Sequence, residues 1–180
     1  MKIAKYLKDT NVAEYLLYMW QLEDTLRAFG CDADRLRDEY VAQFDYAPEE
    51  KQREAQWLSD LCVMMREEGK LEQGHLQMNM GTLSLMTDLH LQLLQSTKHP
   101  AYSAAYYKAL PYIVELRAKS GHTDAPELEN CMEALYGTMM LRLQKKELSR
   151  QTQEAVAAIT HLMALLSDAW RKERTGELEL

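Results

Sequence analysis

The segment from Asn11 to Phe29, NVAEYLLYMWQLEDTLRAF, places the strongest constraint on how this chain can fold. Its first half, Val12 to Trp20, carries apolar side chains that would point to every side of a helix. A helix that is apolar all round is stable only where other elements cover it. Asn11 and Glu14 have the spacing of a capping box, in which each side chain accepts a bond from the other's backbone N–H. The segment therefore predicts a buried helix.

The chain as a whole has the composition of an all-helical protein. It contains only 7 glycines and 4 prolines in 180 residues, and residues that favour helices dominate it. No window shows the alternating pattern of a strand. We predict an all-α fold, a single-domain irregular bundle of about six to eight mostly antiparallel helices. The domain is expected to span residues 1–180, with a frayed tail at about 175–180.

Apolar spacing and cap signals divide the chain into about seven helices. The first covers Asn11 to Phe29. The fourth is predicted to be long, from about Lys70 to Thr97, because two apolar stripes run along it. Pro111 is expected to kink or split the fifth helix. Asp124 with Glu127 three residues later predicts the start of the sixth.

Charge and cysteine content exclude several classes of function. The formal net charge of -7 argues against nucleic-acid partners and anionic membrane surfaces. The three cysteines, Cys31, Cys62 and Cys131, form no C-x-x-C pair, so neither a disulfide framework nor a cysteine zinc site is predicted. No signal peptide is predicted, and no run reaches the roughly 18 to 20 apolar residues of a membrane span. These features predict a cytoplasmic protein.

Metal-dependent chemistry is not indicated by the histidine spacing. A helical di-metal site needs two Glu-x-x-His pairs, and Glu72 with His75 is the one such pair in the sequence. His75 and His90 would lie about 22 Å apart on one helix, too far to share an ion. Each is better explained as a core histidine with one hydrogen bond. The sequence predicts no catalytic residues, no metal site and no cofactor.

Polar side chains on the first helix form the candidate site. Glu14 and Gln21 lie nearly above one another on the helix, and Asp24 lies at the edge of the same side. The candidate pocket residues are Glu14, Tyr18, Gln21 and Asp24. They either form a polar network that locks helix packing or line the floor of a pocket, and Arg27 or Arg117 is a possible partner. Glu23 is interpreted as a surface partner of Arg27.

A resemblance to a known family covers nearly the whole chain. The run AEYLLYMWQLEDTLRA within Asn11 to Ala28, and LSRQTQEAV from Leu148 to Val156, resemble an uncharacterised bacterial family, domain of unknown function 4924. The resemblance implies a small cytoplasmic helical protein of gut-type bacteria. It implies no assigned activity and no established catalytic residues, so it supports the fold and leaves the function open.

Two hypotheses about function follow. The first is a non-enzymatic cytoplasmic binding or scaffold module with a protein partner or self-association, and it requires an exposed apolar patch. The alternative is a small-ligand-binding or enzymatic domain with a polar pocket on the first helix, and it requires a cavity lined by the candidate residues.

Overall fold

The computed structural model describes the backbone of residues 1–120 and 125–180, and the side chains of all of these except 119 and 120. Within this part of the chain there are eight α-helices and no strand, so the predicted all-α class is confirmed. The helices are α1 (Lys2–Thr10), α2 (Val12–Ala28), α3 (Ala33–Arg35), α4 (Pro48–Glu67), α5 (Gln77–Gln95), α6 (Pro100–Ser120), α7 (Glu127–Leu143) and α8 (Arg150–Thr175). A π-helical turn (Leu36–Tyr40) and a 3₁₀ turn (Val41–Gln43) follow α3.

Backbone contacts divide the chain into two compact units. Unit 1 comprises Met1–Tyr6 and Tyr18–Gly81, and unit 2 comprises Leu7–Leu17 and Thr82–Leu180. In unit 1, α4 packs against α3 and the two irregular turns that follow it. In unit 2, α6, α7 and α8 pack against one another. The single domain over residues 1–180 and the frayed tail stay predictions.

The start of α2 is buried as its sequence predicts. Tyr15, Leu16, Met19 and Trp20 are at most 2% exposed. The Oδ1 of Asn11 accepts a hydrogen bond from the Glu14 N–H at 3.2 Å, which is the predicted cap. This burial and this cap both follow from local sequence signals.

The second half of the predicted capping box does not form. The Asn11 N–H donates to the carbonyl oxygen of Leu7 at 2.7 Å, because α1 immediately precedes α2. The sequence interpretation did not include α1. Since the Asn11 N–H already has this acceptor, the carboxylate of Glu14 is not needed there and remains available for other contacts.

Three predictions about individual helices can be compared with the structure. The long fourth helix is wrong at its start, because α5 begins at Gln77 and residues 70–76 are non-helical. Pro111 lies inside α6 without splitting it into two helices. Asp124, the predicted cap of the sixth helix, lies outside the described residues, and α7 begins at Glu127.

Unit 2 contains the elements that line the cavity described in the next section. The Ala13 N–H, in the part of α2 that belongs to unit 2, donates to Ser167 Oγ of α8 at 3.3 Å. Ser149 caps α8 by accepting a bond from the Thr152 N–H at 3.2 Å. The beginning of α2 is therefore hydrogen-bonded directly to α8.

No helix in the described residues combines the length and apolar character needed to cross a membrane.

Candidate functional site

A cavity of about 460 Å³ lies in unit 2, where the beginning of α2 meets α7 and α8. Most of its lining is apolar, and five polar side chains interrupt this surface. The polar residues are Asn11, Glu14, Thr138, Arg142 and Thr160. The apolar side chains larger than alanine are Leu17, Leu135, Met139, Leu143, Val156 and Met163. Both the volume and the mixture of side chains are typical of small-molecule sites.

Glu14 and Arg142 give this cavity charges of both signs. Glu14 lies in the first turn of α2 and Arg142 in the last turn of α7. Each position suits its charge, because acids are stabilised at helix N-termini and bases at C-termini. Among the described residues, neither side chain forms an ion pair with the other or with a third group. Both charges are therefore available to a bound molecule.

The other three predicted pocket residues belong to unit 1. Tyr18 is half-buried, and burial, followed by the nearby Tyr40 and Glu54, raises the pKa of its hydroxyl above the usual range. Gln21 is exposed. The Asp24 carboxylate accepts a bond from Arg27 Nη1 at 2.7 Å. Glu14 thus lines a described cavity, whereas the grouping of all four residues in one pocket stays a prediction.

Glu23 was misassigned by sequence reasoning. It is 1% exposed instead of lying on the surface, and Arg27 pairs with Asp24. One Glu23 oxygen lies 2.6 Å from His75 Nδ1. The other accepts bonds from the Leu76 N–H at 3.0 Å and from Asn79 Nδ2 at 2.7 Å. The carboxylate therefore joins α2 to the segment that leads into α5, all within unit 1.

The Trp20 ring completes this cluster. It stacks on the His75 ring, with centroids 4.0 Å apart and an interplanar angle of 11°. The His75 side chain remains 26% exposed. The buried carboxylate and the stacked indole together hold the imidazole in one orientation. No sequence signal identified Glu23, because its burial depends on residues 70–76 passing over it.

The prediction that both histidines lie on apolar stripes of one helix is wrong for His75 alone. His75 precedes α5, while His90 lies within it. His90 is the predicted core histidine with one hydrogen bond, since it is buried and its Nδ1 lies 2.5 Å from the Tyr102 hydroxyl. Burial lowers the pKa of His90. No group of three or more metal-ligating side chains is found in the described ranges.

The fold and the cavity define an all-α protein with an open, mostly apolar cavity that carries two opposite charges. The model of one protein family, described as a domain of unknown function (DUF4924), matches residues 1–177. The chain belongs to this family, and the resemblance in the sequence is confirmed. That description assigns no activity. No curated protein and no solved structure matches the chain.

Proposed function

We propose that this protein is a non-enzymatic binding module and that its unit 2 cavity holds a small molecule with an apolar body and charged groups of both signs. The observation that carries the proposal is the cavity of about 460 Å³ lined by Glu14, Arg142 and a largely apolar wall. An apolar site with a few convergent polar groups is the general form of a ligand pocket.

The two unpaired charges support a zwitterionic ligand. The guanidinium of Arg142 suits a carboxylate, to which it can donate two parallel bonds. The Glu14 carboxylate suits an ammonium group. Because the two side chains do not neutralise each other, a ligand with both groups satisfies both without breaking an existing ion pair.

The apolar wall supports a ligand body of variable shape. Met139 and Met163 contribute two of its side chains. Methionine has three rotatable bonds and a polarisable sulfur, so it adapts to ligands of different outline. We therefore infer that the apolar part of the ligand is recognised by burial, and that the charged groups fix its orientation.

Isothermal titration with a matched series of probes tests this proposal. The zwitterionic dipeptide leucyl-phenylalanine is compared with its N-acetylated form, which lacks the cation, and its amidated form, which lacks the anion. We expect the zwitterion to bind and each blocked form to bind at least about fivefold more weakly. Absence of binding by all three, or equal binding of the three, would contradict the proposal.

Variants of the cavity locate the binding site. Arg142→Gln and Glu14→Gln are each expected to weaken binding of the zwitterion by about threefold to tenfold. Arg53→Gln and Glu49→Gln serve as matched controls, because Arg53 and Glu49 are exposed on α4 and do not line the cavity. An equal loss in the control variants would show that net charge, and not the cavity, governs binding.

We further infer that the protein acts in the cytoplasm. All three cysteines are free thiols, as is usual in a reducing compartment. Fractionation of cells that produce the protein tests this inference, and recovery of the protein outside the cytoplasm would overturn it.

A further inference from the structure

A second cavity of unit 2, with a volume of about 360 Å³, is lined by residues of α6, α7 and α8. Its wall is mostly apolar and includes Leu116 of α6, Leu141 of α7 and Ile159 of α8. It is called the second cavity below, and the cavity that contains Glu14 and Arg142 is called the first cavity. Both cavities belong to unit 2, so the arrangement of one with respect to the other is that of a single compact body.

The two cavities adjoin where α7 packs against α8. Thr138 of α7 and Val156 of α8 line both of them. The rest of the first cavity lies toward the start of α2, and the rest of the second lies toward α6. Since threonine and valine have short side chains, a slender group in the first cavity has only to pass beside these two residues to reach the second.

The last turns of α7 place an exposed leucine in each cavity. Leu143 lines the first cavity and is 59% exposed, whereas Leu141 lines the second and is 36% exposed. Removing apolar side chains from water is favourable in proportion to the area covered. A molecule that occupies both cavities covers both leucines, and one confined to the first cavity covers Leu143 alone.

The second cavity lacks the pair of charges that the first provides. No lysine, arginine or histidine is among the described residues that line it. It contains one acid, Glu115, whose carboxylate accepts bonds from Gln151 Nε2 at 3.1 and 3.2 Å. An apolar group therefore suits the second cavity better than a charged one, because a charge there would lose water without gaining an opposite charge.

We propose that the ligand is a zwitterion with a long, unbranched alkyl chain that extends from the first cavity into the second. Its charged groups lie at Glu14 and Arg142, and its alkyl chain passes beside Thr138 and Val156. Both of these side chains are β-branched and come from adjoining helices, so the passage favours a slender chain over a branched or aromatic group. This inference rests on the proposed function and names the class of ligand for the same site.

A comparison of two straight-chain α-amino acids tests the proposal. Isothermal titration measures the binding of 2-aminohexanoic acid and 2-aminodecanoic acid, which carry the same charges and differ only in chain length. The longer compound is expected to bind the wild-type protein at least about tenfold more tightly, because its additional methylene groups are buried in the second cavity. Equal affinities for the two compounds would overturn the proposal.

Filling the second cavity should remove this preference for the longer compound. Gly137 lines the second cavity within α7, and a Cβ added there meets no atom within 4 Å. In Gly137→Leu the ratio of the two affinities is expected to fall below about threefold. Gly81→Leu is the matched control, because Gly81 is an equally open glycine inside α5 and lines neither cavity. Circular dichroism verifies that both variants are folded, and equal ratios in the two variants would contradict the assignment.

Arg142→Gln tests whether the charged end of the long compound lies in the first cavity. Both amino acids should bind this variant about threefold to tenfold more weakly. Undiminished binding of 2-aminodecanoic acid would show that its alkyl chain binds elsewhere, and would exclude the proposed arrangement.

The dipeptide leucyl-phenylalanine separates this inference from the proposed function. If the dipeptide binds the wild-type protein while the two amino acids bind equally, the extension into the second cavity is wrong and the first cavity remains a ligand site. If neither the dipeptide nor either amino acid binds, both proposals are overturned.

Discussion

Glu23 shows how one buried carboxylate can organise its surroundings. A charge removed from water is tolerated only when hydrogen bonds replace its hydration. Glu23 meets this requirement with the His75 imidazole, the Leu76 N–H and the Asn79 amide. Because these groups lie in and beside the segment that leads into α5, the carboxylate stabilises the non-helical residues 70–76.

Replacing Glu23 with glutamine is expected to lower the free energy of unfolding by about 2–4 kcal/mol. Glutamine keeps the size of the side chain but removes its charge, and its amide nitrogen cannot accept the bonds that a carboxylate oxygen accepts. Urea unfolding measures the change. Glu39→Gln is the control, because Glu39 lies in an exposed pair with Arg35, and a loss within about 0.5 kcal/mol is expected. Similar losses in the two variants would contradict this role of Glu23.

His90 makes the stability of the protein depend on pH. Burial lowers its pKa below the ordinary value of 6.5, an effect that nearby Glu127 only partly opposes. As pH falls, the unfolded chain binds the proton first, so stability is lost below the unfolded pKa until the folded pKa is reached. We expect the free energy of unfolding to fall between about pH 7 and pH 5, and His90→Gln to remove part of that slope. Parallel profiles for the two chains would contradict the assignment.

At the scale of elements, the segment between α4 and α5 differs most from what its sequence suggests. The Arg27 guanidinium donates to the carbonyl oxygens of Lys70, at 3.1 Å, and Gly74. Gly74 has a φ of +80°, which residues with a Cβ rarely adopt. Helix-forming side chains at residues 70–76 are thus overridden by tertiary hydrogen bonds and by one backbone conformation.

The same substitution at two glycines should have opposite effects. Gly74→Ala is expected to destabilise the protein by about 1–2 kcal/mol, because alanine is strained at that φ. Gly81→Ala lies inside α5, where an added Cβ meets no atom within 4 Å. There alanine is expected to stabilise the protein by about 0.5–1 kcal/mol, through its higher helix propensity. Thermal unfolding followed by circular dichroism measures both, and shifts of the same sign would contradict the explanation.

At the scale of the whole molecule, the fold encloses all three thiols. Cys31, Cys62 and Cys131 are buried. Burial raises the pKa of Cys131 to about 12, and burial followed by the contact with Cys31 raises that of Cys62 to about 12. A thiol with so high a pKa holds its proton near neutral pH, and the protonated form is a poor nucleophile.

Labelling with iodoacetamide is therefore expected to be slow in the native protein and fast in urea. Mass spectrometry after a short exposure at about pH 8 should find Cys62 and Cys131 unmodified in the native protein, and all three cysteines modified after unfolding. Rapid native labelling of Cys131 would show that its surroundings open far more readily than a packed core does.

Local signals determined a large part of this protein. Helix propensity, apolar spacing and the cap at Asn11 depend on residues a few positions apart, and they predicted the all-α class and the buried start of α2. The family was also identified from the sequence, through the runs within Asn11 to Ala28 and Leu148 to Val156, because a resemblance of sequence requires no knowledge of packing.

Tertiary structure alone decided which polar groups meet. Glu14 shares a cavity with Arg142, and Glu23 is buried beneath His75, although the partners are distant in the chain. Helical periodicity says which side of a helix a residue occupies, but the element that covers that side is chosen by packing among distant segments. For this reason the sequence indicated α2 as the location of the candidate site, whereas tertiary packing determined which groups lie near Glu14 and Glu23.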